Sequence, residues 1–147
     1  MAAAALFVPA LDTSETRRRL SGTTVLVLGA DAYSGGLAFV SLDPVGVRVR
    51  LVRRVVQAAH VLADVQAGAD VVIVDADTAP EDAAALVAEL RATPCTANAR
   101  LIALTAKDRR RRRSLGMAGF EAVFGKPLDP QRFAQELAMV MPAASDG

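Results

Sequence analysis

The chain has 147 residues, enough for one domain with a substantial core. It is 52% hydrophobic with five Phe, one Tyr and no Trp, so Val, Leu and Ala must build the interior, as in a compact α/β protein. Seventeen basic residues against sixteen acidic ones exclude a globally basic nucleic-acid binder, and with one Cys (Cys95) and one His (His60) an intrachain disulfide and a Cys/His zinc cluster are also excluded.

Residues 1–22 read as a solvated N-terminal arm. Its apolar start, Ala2 to Leu11, is short, is broken by Pro9 and lacks a leading basic region, which makes a poor signal peptide. Arg17, Arg18 and Arg19 sit in its polar half, before Ser21 and Gly22. With a single cysteine a reducing cytoplasm is the expected compartment, and no apolar run is long enough to span a bilayer.

Apolar runs and helical stretches then alternate. Thr23 to Gly29 is β-rich, and Asp31 to Leu42 predicts a helix stopped by Asp43 and Pro44. Val47 to Val52 alternates apolar residues with Arg, the pattern of an edge strand. Arg48, Arg50, Arg53 and Arg54 are expected to face solvent there. Val55 to Ala67 has helical spacing and Gly68 closes it.

Val71 to Val74 is a continuous apolar run ending in Asp75, the mark of a strand covered on both faces. Pro80, Glu81 and Asp82 open a helix through Leu86, Leu90 and Arg91, with acids in its first turn. Leu101 to Leu104, followed by Thr105 and Ala106, is a fourth strand, and Glu121 to Phe124 a fifth. Asp129 and Pro130 predict the cap and first turn of a last helix with Phe133, Leu137, Val140 and Met141 on one stripe. Phe39, Phe120, Phe124 and Phe133 read as core, as does Tyr33. His60 reads as half-buried or at the surface, and Cys95 as a free thiol in a loop.

Five strands alternating with five helices predict an α/β fold: a single, doubly wound (βα)5 open parallel sheet of the flavodoxin-like kind, with functional groups where the strands end. Asp75, Thr105 with Ala106, and Lys126 with Pro127 fall at three such ends. In order and spacing these landmarks resemble the CheY-like receiver domain of bacterial response regulators over residues 23–142, leaving 143–147 as a C-terminal tail. The resemblance implies that Asp75 matches the phosphoacceptor, Thr105 the switch residue, and Lys126 the lysine of the family's Lys-Pro pair.

Several positions depart from that pattern. Active receivers carry two adjacent acids after the first strand, which with the phosphoacceptor hold Mg²⁺; here the positions read Gly29 and Ala30, and Asp31 comes one place late. Neutral side chains cannot supply the hard carboxylate oxygens that Mg²⁺ requires. The family's loop proline is one place late at Pro80, Asp77 intrudes, and Val123 replaces the switch aromatic. These departures imply a pseudo-receiver in which Asp31, Asp75, Thr105 and Lys126 are remnants of a phosphoacceptor site, Mg²⁺ is not expected, and Asp75 is a structural acid with Lys126 as counter-ion.

The segment Lys107, Asp108, Arg109, Arg110, Arg111, Arg112, Arg113 starts the receiver pattern's fourth helix in a chain of net charge +1. Like charges at i, i+3 and i, i+4 repel by roughly a few tenths of a kcal/mol per pair, and cations at a helix N-terminus oppose its dipole. The free helix is therefore expected to be weak or frayed, more so with Gly116 and Gly119 at its far end. By family register, Arg112 and Arg113 take places that relatives fill with apolar residues.

A bound anion would neutralise the tract. Guanidinium forks bond bidentately to guanine O6 and N7, grip phosphate and stack on the base, and Asp108 can accept from guanine N1 and N2. Cyclic di-GMP, with two guanines and two phosphates, matches that inventory. The segment resembles the Cle group, CheY-like proteins in which an arginine-rich stretch binds cyclic di-GMP and which act on the flagellar motor.

The resemblance implies a binding module with no catalysis of its own. It would dock a signalling or flagellar motor protein in a ligand-dependent way and be recruited to the flagellated cell pole. Two alternatives stand beside it: a stand-alone response regulator phosphorylated on Asp75, and arginine-mediated binding of nucleic acid or acidic protein.

Overall fold

A computed structural model describes residues 12–29, 31–78 and 82–142. The residues 1–11, Ala30, Pro80, Glu81 and the 143–147 tail, all invoked above, lie outside the described residues.

Two strands, β1 (Thr24–Leu28) and β3 (Val71–Asp75), are buried at every position, as continuous apolar runs require. They form the centre of a five-stranded parallel sheet ordered β2-β1-β3-β4-β5, in which β2 is Arg48–Val52, β4 is Arg100–Thr105 and β5 is Ala122–Gly125. Edge strand β2 is only partly covered, with Arg48 exposed and Arg50 half-buried. Arg48 donates to the Gly22 carbonyl, and Arg50 pairs with Asp64 at 2.8 Å.

Side chains alternate between the two faces of the sheet. On one face Leu26, Leu28, Val72, Val74, Leu101 and Ala103 meet helices α3 (Ala58–Val61), α4 (Ala83–Ala92) and α5 (Arg109–Ala118). On the other, Val25, Val27, Val71, Ile73, Ile102 and Leu104 meet α1 (Thr13–Leu20), α2 (Ala32–Leu42) and α6 (Phe133–Val140). This is the doubly wound α/β arrangement expected, with one more helix than the sequence pattern showed.

That helix corrects the reading of residues 12–22 as a solvated arm. Asp12 caps α1 by accepting from the Glu15 N–H at 2.8 Å, and Arg17, Arg18 and Arg19 fall in its last turn, where the dipole favours cations. Thr16 and Leu20, four residues apart, bury one stripe. Arg19 bridges to Glu15 and donates to the Ala138 carbonyl of α6, while Arg17 donates to Pro44. The polar composition of the segment hid a helix held by a single apolar anchor.

Two further expectations change. The helix predicted over Val55 to Ala67 shrinks to a 3₁₀ turn at Val55–Gln57 and the single turn α3, with the chain after it in turns. Arg50 takes the Val61 carbonyl at 2.8 Å and ties down Asp64, and the Val65 N–H turns back to Leu62. These bonds replace the ladder a longer helix would need. Gly68 does close the segment, with a left-handed φ of 75° and so close to the Cys95 carbonyl that a Cβ would stand 2.5 Å from its oxygen. Tyr33 and Phe39, read as core, are instead exposed on α2, whose buried stripe is Ser34, Ala38, Ser41 and Leu42.

The last helix starts at Phe133, after an Asp129 turn whose side chain accepts from Gln131. Among the described residues no helix is long and apolar enough to cross a membrane. If α1 is part of the folded core, Leu20→Ala will lower the unfolding free energy by about 2–5 kcal/mol in urea titrations; truncation on a loose arm changes it by less than about 0.5 kcal/mol.

Candidate functional site

The C-terminal ends of β1, β3, β4 and β5 bring Asp75, Thr105 and Lys126 to one edge of the sheet. Asp75 is fully buried, and Lys126 Nζ lies 3.0 Å from its Oδ1 and 2.9 Å from its Oδ2. Asp75 Oδ1 also accepts the backbone N–H of Asp77 at 3.0 Å. A buried carboxylate must be paired and hydrogen-bonded to be tolerated, and these contacts meet that demand. Lys126 is joined to Pro127 by a cis peptide bond.

Thr105 does not reach Asp75. Its hydroxyl donates to Asp77 Oδ1 at 2.6 Å, and the Ala106 N–H donates to Asp77 Oδ2 at 2.8 Å. Lys126 Nζ lies 3.4 Å from the same oxygen. Asp77 therefore sits at the centre of the site. In the sequence it was visible only as an acid two places after Asp75, with no sign of its partners.

Charge settles accordingly. Burial works against the ionised form of Asp77, but hydrogen bonds from Thr105 and Ala106 and the Lys126 ammonium outweigh it and hold the carboxyl below the usual range. Burial also opposes the Lys126 charge; the hydrogen bond and field of Asp75, followed by those of Asp77, outweigh it and raise the ammonium above its ordinary value. Asp31 stands apart from the other three. Its carboxylate caps α2 through the Ser34 N–H at 2.7 Å, which holds it below the usual range, with Lys126 adding a weaker pull.

Both Asp75 oxygens are held by Lys126, Asp31 is engaged as a cap, the Gly29 carbonyl accepts the Thr78 hydroxyl, and the described residues hold no cluster of three metal-ligating side chains.

The arginine tract forms α5 from its first residue, in place of the weak or frayed helix expected. Asp108 caps it, its Oδ1 accepting the Arg111 N–H at 3.1 Å, so one of the two oxygens considered for guanine is committed to the backbone. Arg111, Leu115 and Ala118 occur at i, i+4 and i+7, the stripe turned toward the sheet. Leu115 is fully buried, and Arg111 donates to the Ala76 carbonyl at 3.4 Å with its Nε buried and unpartnered.

Inward placement thus falls to Arg111, not to Arg112 and Arg113 as family register suggested; Leu115 read back one turn would have shown it. Arg112 stretches over β5, its Nη2 so close to Gly125 that a Cβ there would lie 2.6 Å away and push the guanidinium aside. Arg109, Arg110, Arg112 and Arg113 are exposed, and among the described residues none of the five arginines forms an ion pair. His60, also exposed, lines a separate groove of about 660 Å³ beside α2 and β2.

No family model and no curated protein matches the sequence. The fold is that of receiver domains. A response regulator from Thermotoga maritima superposes with a TM-score of 0.68 at 19% identity, over 82% of this chain and 98% of that one. The receiver domain of the sensor histidine kinase PA1611 from Pseudomonas aeruginosa PAO1, solved with magnesium coordinated in its active-site cleft, gives 0.60 at 25% identity over 81% and 99%. ShkA Rec1 in complex with c-di-GMP gives 0.57 at 21% identity over 87% and 99%.

Removing the ammonium from this site strands the buried charge of Asp75. Lys126→Met should therefore cost about 3–5 kcal/mol of stability near neutral pH in denaturant titrations, with much of the loss recovered on adding Asp75→Asn. Because folding raises the Lys126 pKa, its contribution is complete below the ordinary lysine value of about 10.4 and fades as pH climbs through the folded value. The gap between wild type and Lys126→Met should narrow over that alkaline range.

Proposed function

We propose that this chain is a pseudo-receiver that binds cyclic di-GMP on the arginine face of α5 and signals by ligand-dependent docking to a protein partner, the flagellar motor being the class of destination the resemblance suggests. The observation that carries the reading is the set of guanidinium groups at the start of α5, none with a carboxylate partner among the described residues. Four arginines elsewhere do have one, Arg18 and Arg19 on Glu15, Arg50 on Asp64 and Arg100 on Glu121, and the unpaired arginines outside α5 nowhere form a run of this length. A dianionic dinucleotide supplies what α5 lacks, and guanine edges match the planar fork in a way that other bases do not.

The ShkA Rec1 complex with c-di-GMP lends support at the level of fold: a domain of this architecture takes the ligand. Since α5 is already helical, the signal is neutralisation of its exposed face and ordering of long side chains, not folding of the helix. In this reading the chain has no catalytic activity and resides in the cytoplasm. Arg111 is a strut against Ala76, so the ligand contacts are Arg109, Arg110, Arg112 and Arg113, with the remaining oxygen of Asp108 available to guanine.

Calorimetric titration tests this. Cyclic di-GMP should bind the wild type saturably and lose at least about tenfold in affinity to a variant with Arg109, Arg110 and Arg113 changed to Ala, the order expected for one lost charge-assisted hydrogen bond. Equal heats from both proteins remove the site. GTP, cyclic di-AMP and short DNA at two salt concentrations separate the alternatives, because a phosphate-only site shows no guanine preference and a steep salt dependence.

A further inference from the structure

A hydroxyl, a backbone N–H and an ammonium converge on one small volume at the end of the sheet, and the group that fills it is a carboxylate of the same chain. Thr105 Oγ1, Ala106 N and Lys126 Nζ lie 2.6, 2.8 and 3.4 Å from Asp77 oxygens. Three donors of these types, held by two separate backbone segments at the ends of β4 and β5, make up a site for an oxyanion. Thr105 is fully buried and Lys126 half-buried, so leaving these two donors empty would cost part of their solvation.

We propose that Asp77 is a resident anion that caps this oxyanion site and closes the wild-type pocket to external phosphate-like ions. Two features support the closure. The Asp77 carboxylate uses both oxygens on the donors, one on Thr105 and one on Ala106. With Asp75 and Asp77 facing Lys126, the pocket already carries one more negative charge than positive, and a further anion meets net repulsion. Removing Asp77 leaves Asp75 and Lys126 as a neutral pair and frees the Thr105 hydroxyl, the Ala106 N–H and the side of the Lys126 ammonium turned away from Asp75.

The same carboxylate also sets the lead-in to the arginine helix. Thr105 Oγ1, while donating to Asp77, accepts the Lys107 N–H at 3.0 Å, and one residue on Asp108 caps α5. On the other side Arg111 reaches back to Ala76, the residue between the two carboxylates. An internal carboxylate thus occupies the donors at the head of the segment that leads into α5.

The test is a titration of sodium sulfate, and separately inorganic phosphate, into wild-type, Asp77→Ala and Asp77→Asn full-length chains. Ionic strength is held constant and the Ala106 and Lys107 amide signals are followed by nuclear magnetic resonance. In the wild type these amides should stay in place. In Asp77→Ala they should move saturably, with affinity at least about tenfold above any wild-type response. Asp77→Asn should fall between, since it keeps the shape and loses the charge.

Arg109 to Arg113 signals report any separate binding at the tract and leave this outcome unaffected. The proposal is overturned if wild-type Ala106 shifts saturably, or if folded Asp77→Ala shows no shift. Should both variants fail to fold, the wild-type titration alone decides between a closed pocket and an open one.

Discussion

Two carboxylates and one ammonium, locked together where β3 and β5 end, are the constraint on which this molecule is organised. Asp75 is completely enclosed, and a lone charge there would be intolerable in the apolar sheet around it. Lys126 answers it with contacts to both oxygens, and Asp77 shares the same ammonium while drawing Thr105 and Ala106 inward. Because the three partners come from β3, β4 and β5 and the loops after them, the cluster pins the register of those strands at their C-terminal ends. The loop that leads into α5 inherits its position from there.

The chain divides its electrostatics sharply. Inside, two carboxylates share one ammonium and are held by backbone and hydroxyl donors. Outside, on α5, four exposed guanidinium groups stand together without matched acids among the described residues. Their repulsion is modest, roughly a few tenths of a kcal/mol for each neighbouring pair, and three local features outweigh it: the Asp108 cap, the buried Leu115 and the tether from Arg111 to Ala76. The cost of crowding is therefore not spent on unravelling the helix. It persists as a positive field on an ordered helix, which suits recognition of an anion because only the long side chains, and not the backbone, remain to be ordered on binding.

The sheet was legible because continuous apolar runs such as Val71 to Val74 have one plausible fate, and because Asp75 and Lys126 mark the strand ends where a doubly wound sheet collects its polar groups. Features set by tertiary contact were not legible. The helix α1 has only Leu20 as a large buried apolar residue, though Asp12 followed three places later by Glu15 resembles a helix-start signature that could have exposed it. The shortened α3 depends on Arg50 reaching across from β2 to the Val61 carbonyl, a bond no local spacing foretells. Tyr33 and Phe39 were assigned to the core on residue type alone, whereas the phase of α2 turns its small residues inward.

Arg111 shows how such gaps bear on function. Counting by analogy assigned the inward positions to Arg112 and Arg113; counting back one turn from the fully buried Leu115 assigns one to Arg111, and the structure agrees with the second count. The difference matters because the residue Arg111 touches, Ala76, is flanked by Asp75 and Asp77. One guanidinium of the tract is thereby taken from the ligand-facing set and made a mechanical link between the acidic cluster and α5. Asp77 follows Ala76 in the chain and contacts Thr105 and Ala106, which lead into Lys107, so it adjoins both ends of that link. The pocket at the sheet edge and the charged face of α5 are in this sense one connected element, and the two carboxylates set its resting position.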